Sequence, residues 1–471
     1  MSDKIKLTVI GAGPGGYAAA FLASDLGMEV TLVDLEKNPG GVCLYRGCIP
    51  SKALLHVAKL IHEADEAKNW GVEFGKPKID IDKLRTYKDN VVNKLTGGVG
   101  TVSKMRKVNF IQGRATFINS NTVKIEKSSG ETIEHKYDKA IIATGSVIAT
   151  IPSLSINSKK LLNSTSALDL PEIPRSLLVV GGGYIGLELG SVYNALGTKV
   201  SVVEMTAGLL PGADRDLVTF LSRRVEKQFE KVMLNSKVVE LKEVEKGINV
   251  KIQSSDGNIT ETVYDYVLMS IGRRPETKGL GLENTKVKVN ERGWINVNKQ
   301  LQTDDPSIYA IGDIVGEPML AHKASHEGRT AVEAIAGHKV AFEPQAIPAV
   351  VFTDPEIAWA GLTETQAKEK GIKHEVAKFP WAASGRAVTL DRNDGVTKLI
   401  VDPDTQRILG VGICGPGAGE LIAEGVLAIE MGANVTDIKL TIHPHPTLSE
   451  TIMESAEVFF GQSTHTYKPK R

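Results

Sequence analysis

KLTVIGAGPGGYAAAFLASDLGMEVTLVD, residues 6–34, reads as strand, glycine turn, helix and second strand. Leu7 to Ile10 is a short buried strand, and Gly11-x-Gly13-x-x-Gly16 is the turn. Tyr17 to Leu26 is an alanine-rich helix that ends near Gly27, and Val30 to Val33 is the next strand, closed by Asp34. The first glycine permits a sharp turn. The second lets the backbone approach a pyrophosphate, and the third lets helix and strand pack closely. Phosphate charge is favoured at the helix N-terminus, where amide hydrogens point outward. Asp34 is placed to accept from ribose hydroxyls.

The pattern recurs in SLLVVGGGYIGLELGSVYNALGTKVSVVE, residues 176–204, with Gly181, Gly183 and Gly186 in the glycine positions and Glu204 as the acid. In both copies 23 positions separate the first glycine from the acid, Gly11 from Asp34 and Gly181 from Glu204. One such motif is weak evidence; two with matching spacing and context are strong. A second signature repeats as YDKAIIATG (137–145) and YDYVLMSIG (264–272). Each predicts a parallel strand ending near a nucleotide site, at Gly145 and Gly272. A third stretch, SIYAIGDIVG (307–316), puts Asp313 at a strand end, beside a cofactor hydroxyl or in a helix cap.

A chain of 471 residues suggests about three domains. The order of motifs predicts an α/β protein with two Rossmann-like dinucleotide-binding domains, one inserted in the other, plus a C-terminal α+β dimerisation domain. The boundaries expected are 1–150 for the first part of the first dinucleotide domain, 151–275 for the second dinucleotide domain, 276–347 for the return to the first, and 348–471 for the interface domain. In the last of these, VTKLIVDPDTQRILGVGICG (396–415) reads as a hairpin turning at Asp402 to Thr405. It lacks a glycine fingerprint and is expected to pack against a second subunit.

Lys plus Arg and Asp plus Glu both number 56, so no charge excess points to nucleic acid or an anionic membrane. No apolar run approaches the ~18 residues of a membrane span. The first residues enter a strand at once, leaving no room for a signal or transit peptide, and the expected location is the cytoplasm. Three cysteines do not make a disulfide framework.

Two of them sit in GVCLYRGCIPSK (41–52). Zinc needs about four ligands; Cys414 is remote, and His56 is helical and unpaired. A staple closing so small a loop removes little entropy. The redox reading gains from Ile49-Pro50-Ser51-Lys52, a helix start with proline in its first turn. A helix N-terminus stabilises a thiolate. Cys48 is therefore expected to be the lower-pKa thiolate facing an electron acceptor, with Cys43 the more accessible exchange partner. Lys52, one turn on, either adds positive charge or is a solvated helix lysine. Thiol exchange near neutral pH needs a base. KLTIHPHPTLSE (439–450) offers His443 and His445, with Glu450 five residues past the second to orient an imidazole; spacing does not choose between the two histidines. Glu204 repels a 2′-phosphate and no arginine follows before Arg215, which favours NAD in the second module. The first is assigned FAD.

Taken with IIATGS (141–146), IGRRP (271–275), YAIGDIVGEPMLAHKA (309–324), FPWAASGRA (379–387) and HPHPTLSE (443–450), these stretches resemble the dihydrolipoamide dehydrogenases, of the pyridine nucleotide-disulfide oxidoreductase family, nearly end to end. The resemblance implies a homodimer that oxidises protein-bound dihydrolipoamide through a Cys43–Cys48 disulfide and FAD and reduces NAD+. Its partners would be the lipoyl domains and acyltransferase core of 2-oxo acid dehydrogenase complexes, or the lipoyl protein of glycine cleavage. It assigns Cys43 to exchange with the lipoyl dithiol and Cys48 to charge transfer with the flavin. It makes His445 the base, paired with Glu450 and acting across the dimer, and it pairs Lys52 with Glu188. It adds backbone contacts to FAD around Gly113 and Ala321, and to NAD around Val238 and Gly272. The alternative is another disulfide or metal-ion reductase of the same family. A glutathione-type reductase wants a basic NADPH clamp, against Glu204; a mercuric reductase carries further C-terminal cysteines, where this chain ends GQSTHTYKPKR; a transhydrogenase lacks the full cysteine pair. A redox-dependent binding protein would need neither the base nor the ribose acid. Two departures stand out. Tyr45-Arg46 replaces the usual Asn-Val between the cysteines, and Arg46 is expected to lower the pKa of Cys43. Asp34 replaces the glutamate of many relatives.

Overall fold

The Lys6–Ile10 strand lies inside a seven-stranded sheet, paired in parallel with Glu29–Asp34 on one side and Lys139–Ile142 on the other. Leu7, Val9, Leu32, Ile141 and Ile142 are fully buried, the continuous apolar run of a parallel strand covered on both faces. The structure is a computed structural model and describes residues 4–467. Residues 1–3 and 468–471, on which the readings of the two chain ends rest in part, lie outside the described residues.

The helix that follows the first glycine turn runs Pro14–Asp25, three residues earlier than the alanine pattern starts. Pro14 needs no amide hydrogen at the first helical position and carries a φ already suited to it, so it opens the helix. This helix crosses Ala321–Ile335 so closely that a Cβ on Gly15 would come within 2.9 Å of the Ala324 carbonyl oxygen. The sheet continues through Asn109–Asn119, Thr122–Lys127 and Thr132–Lys136 and is completed at its other edge by Ile308–Ala310.

Between Lys139–Ile142 and Ile308–Ala310 the chain leaves to build the second module and returns, with Leu280, Leu282, Val287 and Ile295 packed back against Ile10, Val33 and Phe117 of the first. Its five-stranded parallel sheet runs Lys231–Met233, Lys199–Val203, Ser176–Val180, Tyr266–Met269 and Leu161–Asn163. Ser176–Val180 pairs with Lys199–Val203 and Tyr266–Met269 just as Lys6–Ile10 pairs with its two neighbours, so the sequence repeat is a repeat of sheet topology. The crossing between the two halves is a short antiparallel pair, Ser146–Ile148 with Arg273–Pro275.

A third unit holds a five-stranded antiparallel sheet, ordered Ala349–Val351, Ile357–Gly361, Ile408–Cys414, Val396–Val401 and Glu375–Pro380. Val396–Val401 and Ile408–Cys414 form the hairpin expected around Asp402. Leu54 and Ala58 of the Cys48–Glu66 helix share one apolar cluster with Leu187, Val192 and Leu221 of the second module and with Val351 and Val396 of the third unit. The cysteine helix is thereby fixed where all three units meet. Cys414 is fully buried in that cluster, and burial pushes its thiol up, away from redox use. Among the described residues, no helix is long and apolar enough to cross a membrane.

Candidate active site

Both glycine turns have the same working parts. Gly11 and Gly181 take φ of +97° and +107°, the left-handed region open to glycine. A Cβ on Gly16 would sit 1.9 Å from the Gly11 carbonyl oxygen, and one on Gly186 2.5 Å from that of Gly181, so each third glycine lets the helix close on its turn. The second glycines differ in kind. A Cβ on Gly13 would meet nothing nearer than Gly41 Cα at 4.0 Å, and one on Gly183 nothing within that range. The space over each second glycine is free for a bulky group at a helix N-terminus, as a dinucleotide pyrophosphate requires.

The acids do more than the sequence suggests. Asp34 Oδ2 accepts from the Ala12 amide at 2.5 Å and Oδ1 from the Glu36 amide at 2.9 Å. Glu204 repeats this, accepting from the amides of Gly182 at 2.6 Å and Thr206 at 2.7 Å. Each carboxylate ties its glycine turn to the end of the following strand, and its remaining lone pairs stay available to a ribose. Burial raises the pKa of Asp34 against the pull of those amides.

Gly11, Gly13, Asp34, Gly113, Gly145, Asp313 and Ala321 line one continuous cavity, together with Cys43, Cys48, Lys52 and Glu188. Asp313 sits in the Gly312–Ile314 turn without capping it; its carboxylate accepts from Ser146 Oγ, which in turn accepts from Arg273 Nε at 2.7 Å. Gly181, Gly183, Gly186, Glu204 and Gly272 belong to the second turn and its sheet, outside this cavity. The Val238 side chain is buried in the apolar cluster of the second module with Leu178, Val180 and Val203. Tyr184, directly after the second glycine turn, lines the first cavity, so the two sites abut.

Cys43 lies in the short Gly41–Arg46 helix and Cys48 begins the Cys48–Glu66 helix, with Gly47 at the bend. Both are free thiols that line the same cavity, and each shifts the titration of the other. The neighbouring Cys43 thiol draws Cys48 down to about 7, Lys52 helps, and burial opposes it. The neighbouring Cys48, together with burial, pushes Cys43 well up. Cys48 opens into the cavity, as a thiol facing an electron acceptor there would, and Cys43 is half-buried beside it. Cys48 is the first residue of its helix, and no preceding turn of that helix screens its side chain. Arg46 does not act on Cys43 as expected. Its guanidinium turns to Glu36 Oε1, 2.5 Å away, and the cation beside the thiols is Lys52.

Lys52 Nζ meets Glu188 Oε2 at 2.7 Å, in the helix after the second glycine turn. The other Glu188 oxygen accepts from the Phe352 amide at 3.0 Å, and Lys52 Nζ stands 4.4 Å from the centre of the Phe352 ring. Sequence reasoning missed Phe352, because its contribution is a backbone amide and a ring with no motif around them.

The two histidines separate cleanly. The His443 side chain is 5% exposed and uses both ring nitrogens, Nδ1 with the Thr441 carbonyl at 2.8 Å and Nε2 with Glu424 Oε1 at 2.7 Å. The His445 side chain is 72% exposed; its Nδ1 meets Glu450 Oε1 at 2.8 Å, and its Nε2 has no hydrogen bond among the described residues. The second Glu450 oxygen accepts from the Thr447 amide at 2.7 Å. Burial works to raise the Glu450 pKa, yet that amide and His445 together hold it below the usual carboxylate range. Neither histidine lines the thiol cavity of its own chain. Leu427, Met431, Leu440 and Ile442 are large apolar side chains that are also exposed in this unit, the last of them three residues before His445.

A paired dithiol between two dinucleotide turns defines a class, and the chain belongs to it: the pyridine nucleotide-disulphide oxidoreductase family matches residues 5–328, and the dimerisation domain of that family matches residues 347–456. The dimerisation domain carries both His445 and these exposed apolar side chains. Among relatives, the dihydrolipoyl dehydrogenase of Haemophilus influenzae is 50% identical over 466 residues, covering 98% of this chain and 97% of its own. That of Vibrio cholerae is 48% identical, covering 98% of each, and that of Geobacillus stearothermophilus is 46% identical, covering 97% and 96%. Solved structures with this fold include LpdA from Mycobacterium tuberculosis, TM-score 0.89 at 27% identity with 97% and 99% of the chains covered. Another is the HOCl-induced flavoprotein disulfide reductase RclA from Escherichia coli, TM-score 0.84 at 29% identity with 95% and 98% covered.

Proposed function

We propose that the chain is a dihydrolipoyl dehydrogenase, oxidising dihydrolipoamide to lipoamide with NAD+ as the final acceptor. The observation that carries this reading is the Cys43–Cys48 pair, with its low-pKa thiol at a helix start and Lys52 beside it, in a cavity that also contains the first glycine turn. The names of the relatives support the substrate. FAD fits the first cavity, held by Gly11, Gly13, Asp34, Asp313 and the helix start at Ala321, and NAD fits the second turn, held by Gly181, Gly183 and Glu204. When bound, the flavin supplies the relay that accepts an electron pair from the dithiol and passes it to NAD+ as hydride.

The chain's own residues manage sulfur and protons. In the oxidised form Cys43 and Cys48 are joined. His445, oriented by Glu450, takes a proton from one substrate thiol, and the resulting thiolate attacks the sulfur of Cys43. The Cys43–Cys48 bond breaks and Cys48 leaves as a thiolate, stabilised by Lys52 and the helix N-terminus. His445 passes that proton to solvent and takes the proton of the second substrate thiol, whose sulfur then attacks the substrate sulfur of the mixed disulfide. Lipoamide is released with its new S–S bond, and the proton held by His445 returns to Cys43. Because His445 is exposed on the dimerisation domain and absent from its own cavity, we read it as acting across a homodimer. The Glu204 carboxylate disfavours a 2′-phosphate and so favours NAD over NADP. The natural donors would be lipoyl domains of 2-oxo acid dehydrogenase complexes, around their acyltransferase core, or the lipoyl protein of glycine cleavage. Free dithiol chemistry of this kind suits the reducing cytoplasm.

Two assays run side by side test the reading. Reduction of NAD+ by dihydrolipoamide is expected to be fast, and reduction of glutathione disulfide by NADPH negligible. The reverse ranking would move the chain to another branch of the family.

A further inference from the structure

Tyr45 and Arg46, the departure from the family pattern, lie on the short helix that carries Cys43. The Gly41–Arg46 helix has six residues and no side-chain cap at its N-terminus, too little to hold its own position. Its place is set by what its side chains grip. Tyr45 donates its hydroxyl to the Asn38 carbonyl at 3.2 Å, and Arg46 Nη1 donates to Glu36 Oε1 at 2.5 Å. Both anchors land in the segment directly after Asp34, the acid of the first glycine repeat. Glu36 is the joint: its amide donates to Asp34, its carboxylate accepts from Arg46. A continuous polar chain therefore runs from the Ala12 amide through Asp34 and Glu36 to Arg46.

Arg46 also lines the first cavity, on the same stretch of wall as Asp34 and Leu35, and its charge is close enough to Asp34 to lower that carboxyl's pKa. Glu36 is its one hydrogen-bond partner among the described residues, which leaves most of the five guanidinium donors free. We propose that Arg46 is a cofactor-binding residue: its guanidinium closes the ribose end of the first cavity against a bound dinucleotide, and Glu36 positions it. The inference rests on the reading of that cavity as the FAD site. The Tyr45-Arg46 pair would then serve cofactor retention and the placing of the Cys43 helix, not thiol acidity.

The experiment measures FAD binding to the full-length apo-protein by quenching of flavin fluorescence. Arg46→Ala is expected to raise the dissociation constant about tenfold, the loss of one charge-assisted contact. Glu36→Gln is expected to raise it less. The double variant is expected to be no weaker than Arg46→Ala alone, because the two side chains act as one unit. Competition by ADP, which shares the adenosine and pyrophosphate of FAD, is expected to weaken by the same factor as FAD itself. FAD affinity of Arg46→Ala within twofold of wild type overturns the proposal, as does full additivity in the double variant. If Arg46→Ala does not fold, Glu36→Gln is judged alone, and an unchanged constant overturns the proposal. Wild-type protein that takes up no FAD overturns the parent reading and this one with it, whereas tight FAD binding in wild type and Arg46→Ala alike overturns this one alone.

Discussion

Lys52 Nζ lies 2.7 Å from Glu188 Oε2, so one ion pair joins the cysteine helix to the helix of the second glycine repeat. The Glu188 side chain is 4% exposed and is also held by the Phe352 amide, which brings in the third unit. Lys52 lowers the pKa of Cys48 and Glu188 raises it, so the two have opposite effects on one thiol. Lys52→Met is expected to slow iodoacetamide alkylation of the reduced protein at pH 7 about fivefold, as the thiolate fraction falls. Glu188→Gln is expected to speed it. Equal rates in all three proteins would remove Lys52 from the role given to it.

The pH dependence has a definite sign. A thiol whose pKa is depressed to about 7 is charged above that pH and neutral below it. Alkylation at Cys48 of the reduced protein is therefore expected to rise through pH 7 as its thiolate forms. Peptide mapping after brief labelling on either side of that pH reads this directly. A Cys48 labelling rate that stays flat from about pH 6 to pH 8 would contradict the depressed thiol.

Spectroscopy separates the same two residues. Cys48→Ser is expected to keep its flavin and to lack the long-wavelength charge-transfer absorbance on reduction. Cys43→Ser is expected to keep that absorbance, since the Cys48 thiolate remains. A band that survives in Cys48→Ser contradicts the division of roles.

His445→Gln is expected to cut lipoamide turnover by about 10²–10⁴ while sparing NADH oxidation by an artificial dye, the loss typical of a positioned base. His443→Gln breaks two hydrogen bonds at a buried site and is expected to cost roughly 1–3 kcal/mol of stability with a smaller effect on turnover. Thermal unfolding and the two assays together distinguish base from brace. Loss of dye activity in His445→Gln to the same degree as lipoamide activity would rule it out as the exchange base.

The glycines of the second turn give a paired test. Gly186→Ala forces a Cβ within 2.5 Å of a backbone oxygen and is expected to destabilise the protein by about 1–3 kcal/mol. Gly183→Ala meets nothing of its own chain within 4 Å and is expected to leave the unfolding temperature unchanged while raising KM for NADH about tenfold. An unchanged KM would mean that the open space at Gly183 is not used by the nucleotide.

Much of this protein follows from local chain geometry and so can be read from the sequence. The glycine turns, their acids, the parallel strands on either side and the dithiol at a helix start all depend on residues within about thirty positions of one another. Their spacing alone restricts what the backbone can do. Even here Pro14 moved a helix start. The rest was decided by packing between distant segments. Glu188 reaches Lys52 across 136 positions and the Phe352 amide across 164, and no local pattern encodes either meeting. Burial of His443 against Glu424, with His445 left exposed and its Nε2 without a hydrogen bond among the described residues, sets apart two histidines that look alike in sequence. The direction of a side chain on a short helix is likewise set by its surroundings, so Arg46 turned from Cys43 to Glu36. Backbone preference is written into short stretches of chain, whereas side-chain partners exist only once the three units have come together.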